Sequence, residues 1–204
     1  MLPERVVLAS NNHGKLKEMA HLLQDLQVHV LPQAEFAVPE VEETGLSFVE
    51  NAILKARHAA GHAQLPAIAD DSGIEVEFLQ GAPGIYSARY AGAGASDEDN
   101  LRLLIEAVKQ SGLEQPPARY QCVIVFMQHG NDATPVIAHG TWHGYLVTEP
   151  RGSNGFGYDP IFFVPTHGCT SAELEPAEKN RISHRGQAMQ DMMQKLSLLK
   201  DSGY

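Results

Sequence analysis

The chain is poor in the features that mark several protein classes. It has two cysteines and one tryptophan among 204 residues. Cys122 lies in an apolar run and Cys169 in a polar loop, which makes neither a disulfide framework nor a CxxC metal pair. No apolar run approaches the ~18 residues of a membrane-spanning helix. Basic charge is also scarce: 15 Lys and Arg face 25 Asp and Glu, a formal charge of -10. That balance disfavours a DNA or RNA backbone binder, which needs a positive field. A small anionic ligand stays possible, because a few clustered lysines suffice for it. Internal repeats, low-complexity tracts and long linkers are missing as well. Met1-Leu2-Pro3-Glu4-Arg5 leads straight into a strand pattern without a signal-peptide composition, so the expected location is the cytoplasm. What is present is an ordinary globular composition with 43% hydrophobic residues, enough to bury a core as one large domain or two fused lobes.

The chemistry centres on Leu65-Pro66-Ala67-Ile68-Ala69-Asp70-Asp71-Ser72-Gly73, an apolar strand that ends in two carboxylates. Ile74 to Phe78 then alternate apolar and charged residues, as a half-buried strand does. The pattern predicts two strands joined by an Asp-Asp-Ser-Gly turn. Neighbouring side chains on extended backbone face opposite sides, so one of Asp70 and Asp71 is expected to be the working acid.

Other segments offer partners for it. Val6 to Ala9 read as a strand, and Leu16, Met19, Ala20, Leu23 and Leu26 repeat at helical spacing. Between them, Ser10-Asn11-Asn12-His13-Gly14-Lys15 places a polar loop and a lysine at a helix start, which suits a phosphate or a simple helix cap. It is not a Walker A loop, since Ala9 and Leu16 occupy positions where that motif needs Gly and Ser/Thr. After a strand at Val28 to Leu31 comes the acidic connection Glu40-Val41-Glu42-Glu43-Thr44-Gly45. Ser47 and Glu50 form a capping-box pattern for a helix from Phe48 to Ala60, closed by Gly61. Asn51 and Lys55 share one face of that helix. His58 and His62 do not read as a zinc site, because Ala59 stands where a zincin carries Glu.

Further on, Gly81 to Tyr90 reads as a shaped loop, Ser96 caps a helix to about Val108, and Arg119 to Met127 with Val136 to Trp142 form an expected antiparallel ribbon. Gly152-Ser153-Asn154-Gly155-Phe156-Gly157-Tyr158-Asp159-Pro160 brackets an aromatic ring with glycines, a plausible nucleobase platform or a core-packed turn. Glu178 to Gly186 opens a last helix with a Ser183-His184-Arg185-Gly186 cluster of hydrogen-bond donors and an apolar face of Met189, Met192, Met193, Leu196 and Leu199.

Six motifs therefore occur in order: Ser10 to Lys15, Glu50-Asn-Ala-Ile-Leu-Lys55, Ala69-Asp-Asp-Ser-Gly73, Gly81 to Arg89, Gly155-Phe-Gly-Tyr-Asp-Pro160 and Ser183 to Gly186. Together they resemble the inosine triphosphate pyrophosphatase family, specifically its bacterial dITP/XTP branch, over nearly the whole chain. The visible departure is Ser10-Asn11, where that family often has Thr-Gly. The resemblance implies an α/β fold with a mixed central sheet and flanking helices, one domain over residues 1–204 whose two lobes enclose a nucleotide cleft, and a homodimer. It implies magnesium-dependent hydrolysis of ITP, dITP or XTP to the monophosphate and pyrophosphate. Asp71 would be proton acceptor and metal ligand, with Glu42 preferred over Glu43 as the second metal acid. Ser10, Asn11, Asn12, His13, Gly14, Lys15, Lys55, Ser72 and Lys179 would hold the phosphate and sugar side. Phe156, Gly157, Tyr158, Asp159, His184 and Arg185 would hold the base. Two alternatives stand beside this reading: a non-catalytic nucleotide-binding regulator, and a Maf-like pyrophosphatase for another nucleotide class. A Nudix enzyme is disfavoured, since no helix carries that box's glutamates.

Overall fold

In the computed structural model, residues 2–11, 15–16, 19–20 and 23–201 are described. Asn12, His13 and Gly14, three residues of the expected phosphate loop, lie outside them. The strands are β1 (Arg5–Leu8), β2 (His29–Pro32), β3 (Ala67–Val76), β4 (Pro117–Met127), β5 (Val136–Leu146), β6 (Phe162–Val164) and β7 (Cys169–Thr170). The helices are α1 (Phe48–Ala63), α2 (Asp97–Ser111), α3 (Pro176–Ile182) and α4 (His184–Asp201). Lys15, Leu16, Met19, Ala20 and Leu23 are also helical. One seven-stranded sheet runs in the order β2-β1-β3-β4-β5-β6-β7. It is mixed, with β1 parallel to β2 and β3, and β6 antiparallel to β5 and β7. The α/β expectation is met.

The chain divides into two compact units. The first takes the N-terminal segment through Asp71, Cys122–Gly140 and the chain from Gln187 on. Strand β1, the first half of β3 and the second half of β4 are buried on both faces, which explains why they read as continuous apolar runs rather than alternations. One face of this part of the sheet supplies Leu8, Ile68, Cys122, Ile124 and Phe126 to a cluster with Met19, Leu23, Met189 and Met192. The other supplies Val7, Ala67, Ala69, Val123 and Val125 against Ala52, Ala56, Ala59 and Ala60 of α1. The alanine stripe is why α1 can lie close to the strands.

The second unit comprises Ser72–Gln121 and Thr141–Gly186. Its core holds Ile74, Val76, Leu104, Val108, Ile161 and an aromatic group. In that group the Phe162 ring lies 4.7 Å from Tyr120 and 5.1 Å from Trp142 between centroids. Helix α2 starts with a full capping box: Ser96 Oγ accepts from Asp99 N–H, and the Asp99 carboxylate accepts from Ser96 N–H, both at 3.1 Å.

Three sequence-based expectations need correction. The Asp-Asp-Ser-Gly stretch is not a turn; β3 is a single ten-residue strand that runs straight through it. Turn propensity loses because the aspartate side chains are engaged by distant lysines, as set out below, instead of by their own backbone. The last helical segment is two helices, broken at extended Ser183, whose hydroxyl accepts from Gly186 N–H at 3.2 Å at the start of α4. Helix α1 does not stop at Gly61 but continues to Ala63, with Gln64 in the left-handed region as its cap. Gly61 sits under the turn between β4 and β5: a Cβ on Gly130 would meet Gly61 Cα at 3.1 Å, whereas a Cβ on Gly61 would meet no atom within 4 Å.

Those distances separate the two glycines. Gly61→Ala should stabilise the protein by about 0.5–1 kcal/mol, the usual gain of replacing glycine in a helix interior. Gly130→Ala should destabilise it. Urea unfolding of the two variants checks both signs, and a destabilised Gly61→Ala would show that the helix is strained there.

Candidate active site

The period of β3 distributes its two carboxylates. Ile68 faces the cluster containing Met19 and Leu23, while Ala67 and Ala69 face the alanine stripe of α1. By alternation Asp70 continues the first row and Asp71 the second. Each meets a lysine on its own side. Lys15 Nζ lies 2.9 and 2.8 Å from the two oxygens of Asp70, which is 4% exposed. Lys55 Nζ, from the middle of α1, lies 3.0 Å from Asp71 Oδ1 and 2.7 Å from Glu43 Oε1. Asp71 Oδ2 accepts from the amide of fully buried Asn51 at 3.3 Å.

Thus two carboxylates share one ammonium in a half-enclosed place. Burial pushes Asp71 upward, Lys55 pulls it down, and Glu43 adds to the rise, so Asp71 ends above the usual aspartate range. Burial alone would lower Lys55, but Asp71, Glu43 and Asp70 together hold it above its ordinary value. The group retains a surplus negative charge and two hard oxygen donors. Glu43 is the acid that reaches Lys55, whereas Glu42, preferred from the sequence as the second metal acid, is exposed. Adjacent residues on an extended segment point apart, and the sequence offered no signal for which one turns inward. Among the described residues no cluster of three or more metal-binding side chains occurs. Of the other residues expected at the phosphate side, Asn11 is exposed and accepts from Gln33 Nε2 at 3.0 Å, and Ser10 N–H donates to Leu8 O at 2.9 Å.

The second unit builds the Gly155 to Asp159 turn around a buried carboxylate. Asp159, 3% exposed, accepts from Phe156 N–H at 2.8 Å, from Ser171 Oγ at 2.8 Å and from Lys179 Nζ. Gly155 is required here: its φ is +79°, and a Cβ would lie 2.1 Å from Asp159 Oδ2. Asp159 and Lys179 therefore hold each other and the turn. Ser171 escaped the sequence reading because a lone serine carries no motif. Phe156 is left 62% exposed, with Lys179 Nζ 5.2 Å from its ring centroid. Gly157 N–H donates to Asp97 Oδ2 at 3.2 Å. Tyr158 is buried, which holds its phenol well above the ordinary value, and donates to Ser87 O at 2.7 Å. His184 stacks on Tyr120, with centroids 4.6 Å apart and planes 9° from parallel, so its ring belongs to the aromatic core. Arg185 Nη2 donates to Ser72 Oγ at 3.3 Å.

Removing the Asp159 carboxylate should therefore damage the fold first. Asp159→Ala leaves the part-buried Lys179 ammonium without its partner and removes the acceptor of Phe156 N–H and Ser171 Oγ, and should cost about 3 kcal/mol in urea unfolding. A loss below about 1 kcal/mol would mean that the turn is held by other contacts.

With this geometry in hand, comparison with known proteins is direct. The Ham1 family profile matches residues 6–195. A dITP/XTP pyrophosphatase of Vibrio parahaemolyticus is 58% identical over 194 residues, covering 95% of this chain and 97% of that one. A protein of the same name from Escherichia coli O157:H7 is 54% identical over 193 residues, covering 95% and 98%. The structure of a HAM1 protein from Coxiella burnetii superposes with a TM-score of 0.92 at 52% identity, covering 97% of this chain and 99% of that one. The Staphylococcus aureus Ham1 protein gives 0.86 at 42% identity, covering 95% and 98%. The two carboxylates on Lys55 are thus features of a chain that belongs to the Ham1 family.

Proposed function

We propose that this chain hydrolyses the non-canonical purine nucleoside triphosphates ITP, dITP and XTP to the monophosphate and pyrophosphate, removing deaminated purines from the nucleotide pool. The observation that carries the reading is the Asp71–Lys55–Glu43 cluster in a chain so similar to dITP/XTP pyrophosphatases. Such a reaction needs charge neutralisation, positioning and an oriented water more than covalent chemistry. Asp71, set at the centre of the cluster between Lys55 and Asn51, serves as the base. It takes a proton from the attacking water as the new bond to the α-phosphorus forms, and the bond to the bridging oxygen breaks to release pyrophosphate. Lys55 is an always-charged neighbour that holds the carboxylate in place and offsets substrate charge.

Magnesium fits the donor set, since this ion is commonly held by one or two carboxylates with phosphate oxygens and water. Asp71 and Glu43 would hold it, and when bound it supplies charge neutralisation for the triphosphate. Ser10 through Lys15, Ser72 and Lys179 belong to the proposal as phosphate and sugar groups. Phe156 to Asp159, His184 and Arg185 belong to it as base-recognition groups, with Asp159, Lys179 and His184 acting through the packing already described. The rest of the proposal is a single functional domain, acting as a cytoplasmic homodimer on free nucleotides. No helix among the described residues is long and apolar enough to cross a membrane.

A nucleotide panel tests the reading. Hypoxanthine and xanthine present a carbonyl at C6 where adenine presents an amino donor, and an unpaired buried donor costs roughly 1–3 kcal/mol. With magnesium present, dITP and XTP should be cleaved to monophosphate and pyrophosphate at least about tenfold more efficiently than ATP. Orthophosphate as the primary product, or equal turnover of ATP, would overturn the proposal.

A further inference from the structure

Asn51 is the one side chain in the Asp71 cluster with no charge and no exposure. Burying a polar amide is costly unless its groups are paired, and here both ends are. Its oxygen accepts from Gly45 N–H at 2.8 Å, and its nitrogen donates to Asp71 Oδ2 at 3.3 Å. The first bond holds the acidic connection two residues after Glu43; the second sets one oxygen of the base. Lys55 occupies the other oxygen of Asp71 and reaches Glu43 as well. The carboxylate plane of Asp71 is therefore gripped at both oxygens from α1, one turn of the helix separating the two grips.

The backbone is shaped to the same contact. A Cβ on Gly45 would lie 2.6 Å from Asn51 Oδ1, 2.6 Å from Glu50 Cβ and 3.0 Å from Asn51 N. Any larger residue at 45 would displace the segment that carries Glu43. The start of α1 is tied to this segment by a second route. Glu50 accepts from Leu46 N–H at 2.9 Å and from Ser47 Oγ at 2.7 Å.

We propose that Asn51 is a positioning residue for the reaction, locking the Glu43 segment and the Asp71 carboxylate into one working geometry, with Gly45 as the close-packed half of the lock. The inference rests on the pyrophosphatase reading above and assigns Asn51 no contact with substrate. A small rotation of a general base out of line with its water is enough to lower the rate steeply while leaving substrate affinity alone.

The test is steady-state hydrolysis of dITP at saturating magnesium by wild type, Asn51→Leu, Gly45→Ala and the double variant, each with a thermal unfolding curve. Asn51→Leu keeps the branching of the side chain and loses both hydrogen bonds; Gly45→Ala perturbs the half-buried connection and leaves Asn51 itself in place. Both should lower kcat at least about tenfold with KM within about threefold, the signature of lost transition-state alignment rather than lost binding. The double variant should fall little further than Asn51→Leu, because the two changes break one unit. If Asn51→Leu does not fold, Gly45→Ala alone decides. Turnover by a folded single variant within about threefold of wild type, or a loss confined to KM, would overturn the inference. Wild-type protein without activity on dITP or XTP would overturn the functional reading, and the inference with it.

Discussion

Two adjacent carboxylates on a strand buried on both faces cannot stand without cations, and much of the first unit is arranged to meet that constraint. Isolated charge in such a place costs several kcal/mol, so each aspartate must find a positive partner on the side to which the pleat directs it. The helical residues before β2 bring Lys15 to Asp70, and α1 brings Lys55 to Asp71. The alanine face of α1 serves the same end, because small side chains let the helix approach the strands closely enough for Lys55 to reach. Packing and charge pairing are here one design.

The second unit solves a different problem, how to leave a large aromatic ring in water and still hold it. Asp159 draws in the turn from beneath, Ser171 and Lys179 satisfy that carboxylate, and Tyr158 anchors the far side to Ser87. Phe156 stays exposed while its own N–H is held by the Asp159 carboxylate. The polar residues of this motif divide between support and display, and only the geometry tells them apart.

Much of this was legible in the sequence, and the rest was hidden for identifiable reasons. The strand and helix patterns, the caps at Ser47 and Ser96 and the apolar face of α4 follow local periodicity, which the fold obeys. Local chemistry misled at Asp70 to Gly73, where long-range lysines keep a turn-like sequence extended. It misled again at Gly61, whose helix is sustained by buried Ala59 and Ala60 before it and partly buried Ala63 after it. The choice between Glu42 and Glu43 depends on the rotation of an irregular segment, and no periodicity encodes that. Asn51 was visible as a neighbour of Lys55 on one helix face, but its second partner, Gly45, became apparent only in three dimensions.

The account turns on Asp71 as the base. Asp71→Asn keeps the size of the side chain and its place between Lys55 and Asn51 while removing the charge that accepts the proton. Pyrophosphate release from dITP at saturating magnesium, measured beside the far-UV spectrum and unfolding curve of the variant, tests this directly. The account predicts a folded protein whose turnover is lower by about 100-fold or more. A folded Asp71→Asn variant with near wild-type turnover would contradict it and move the proton transfer to another group.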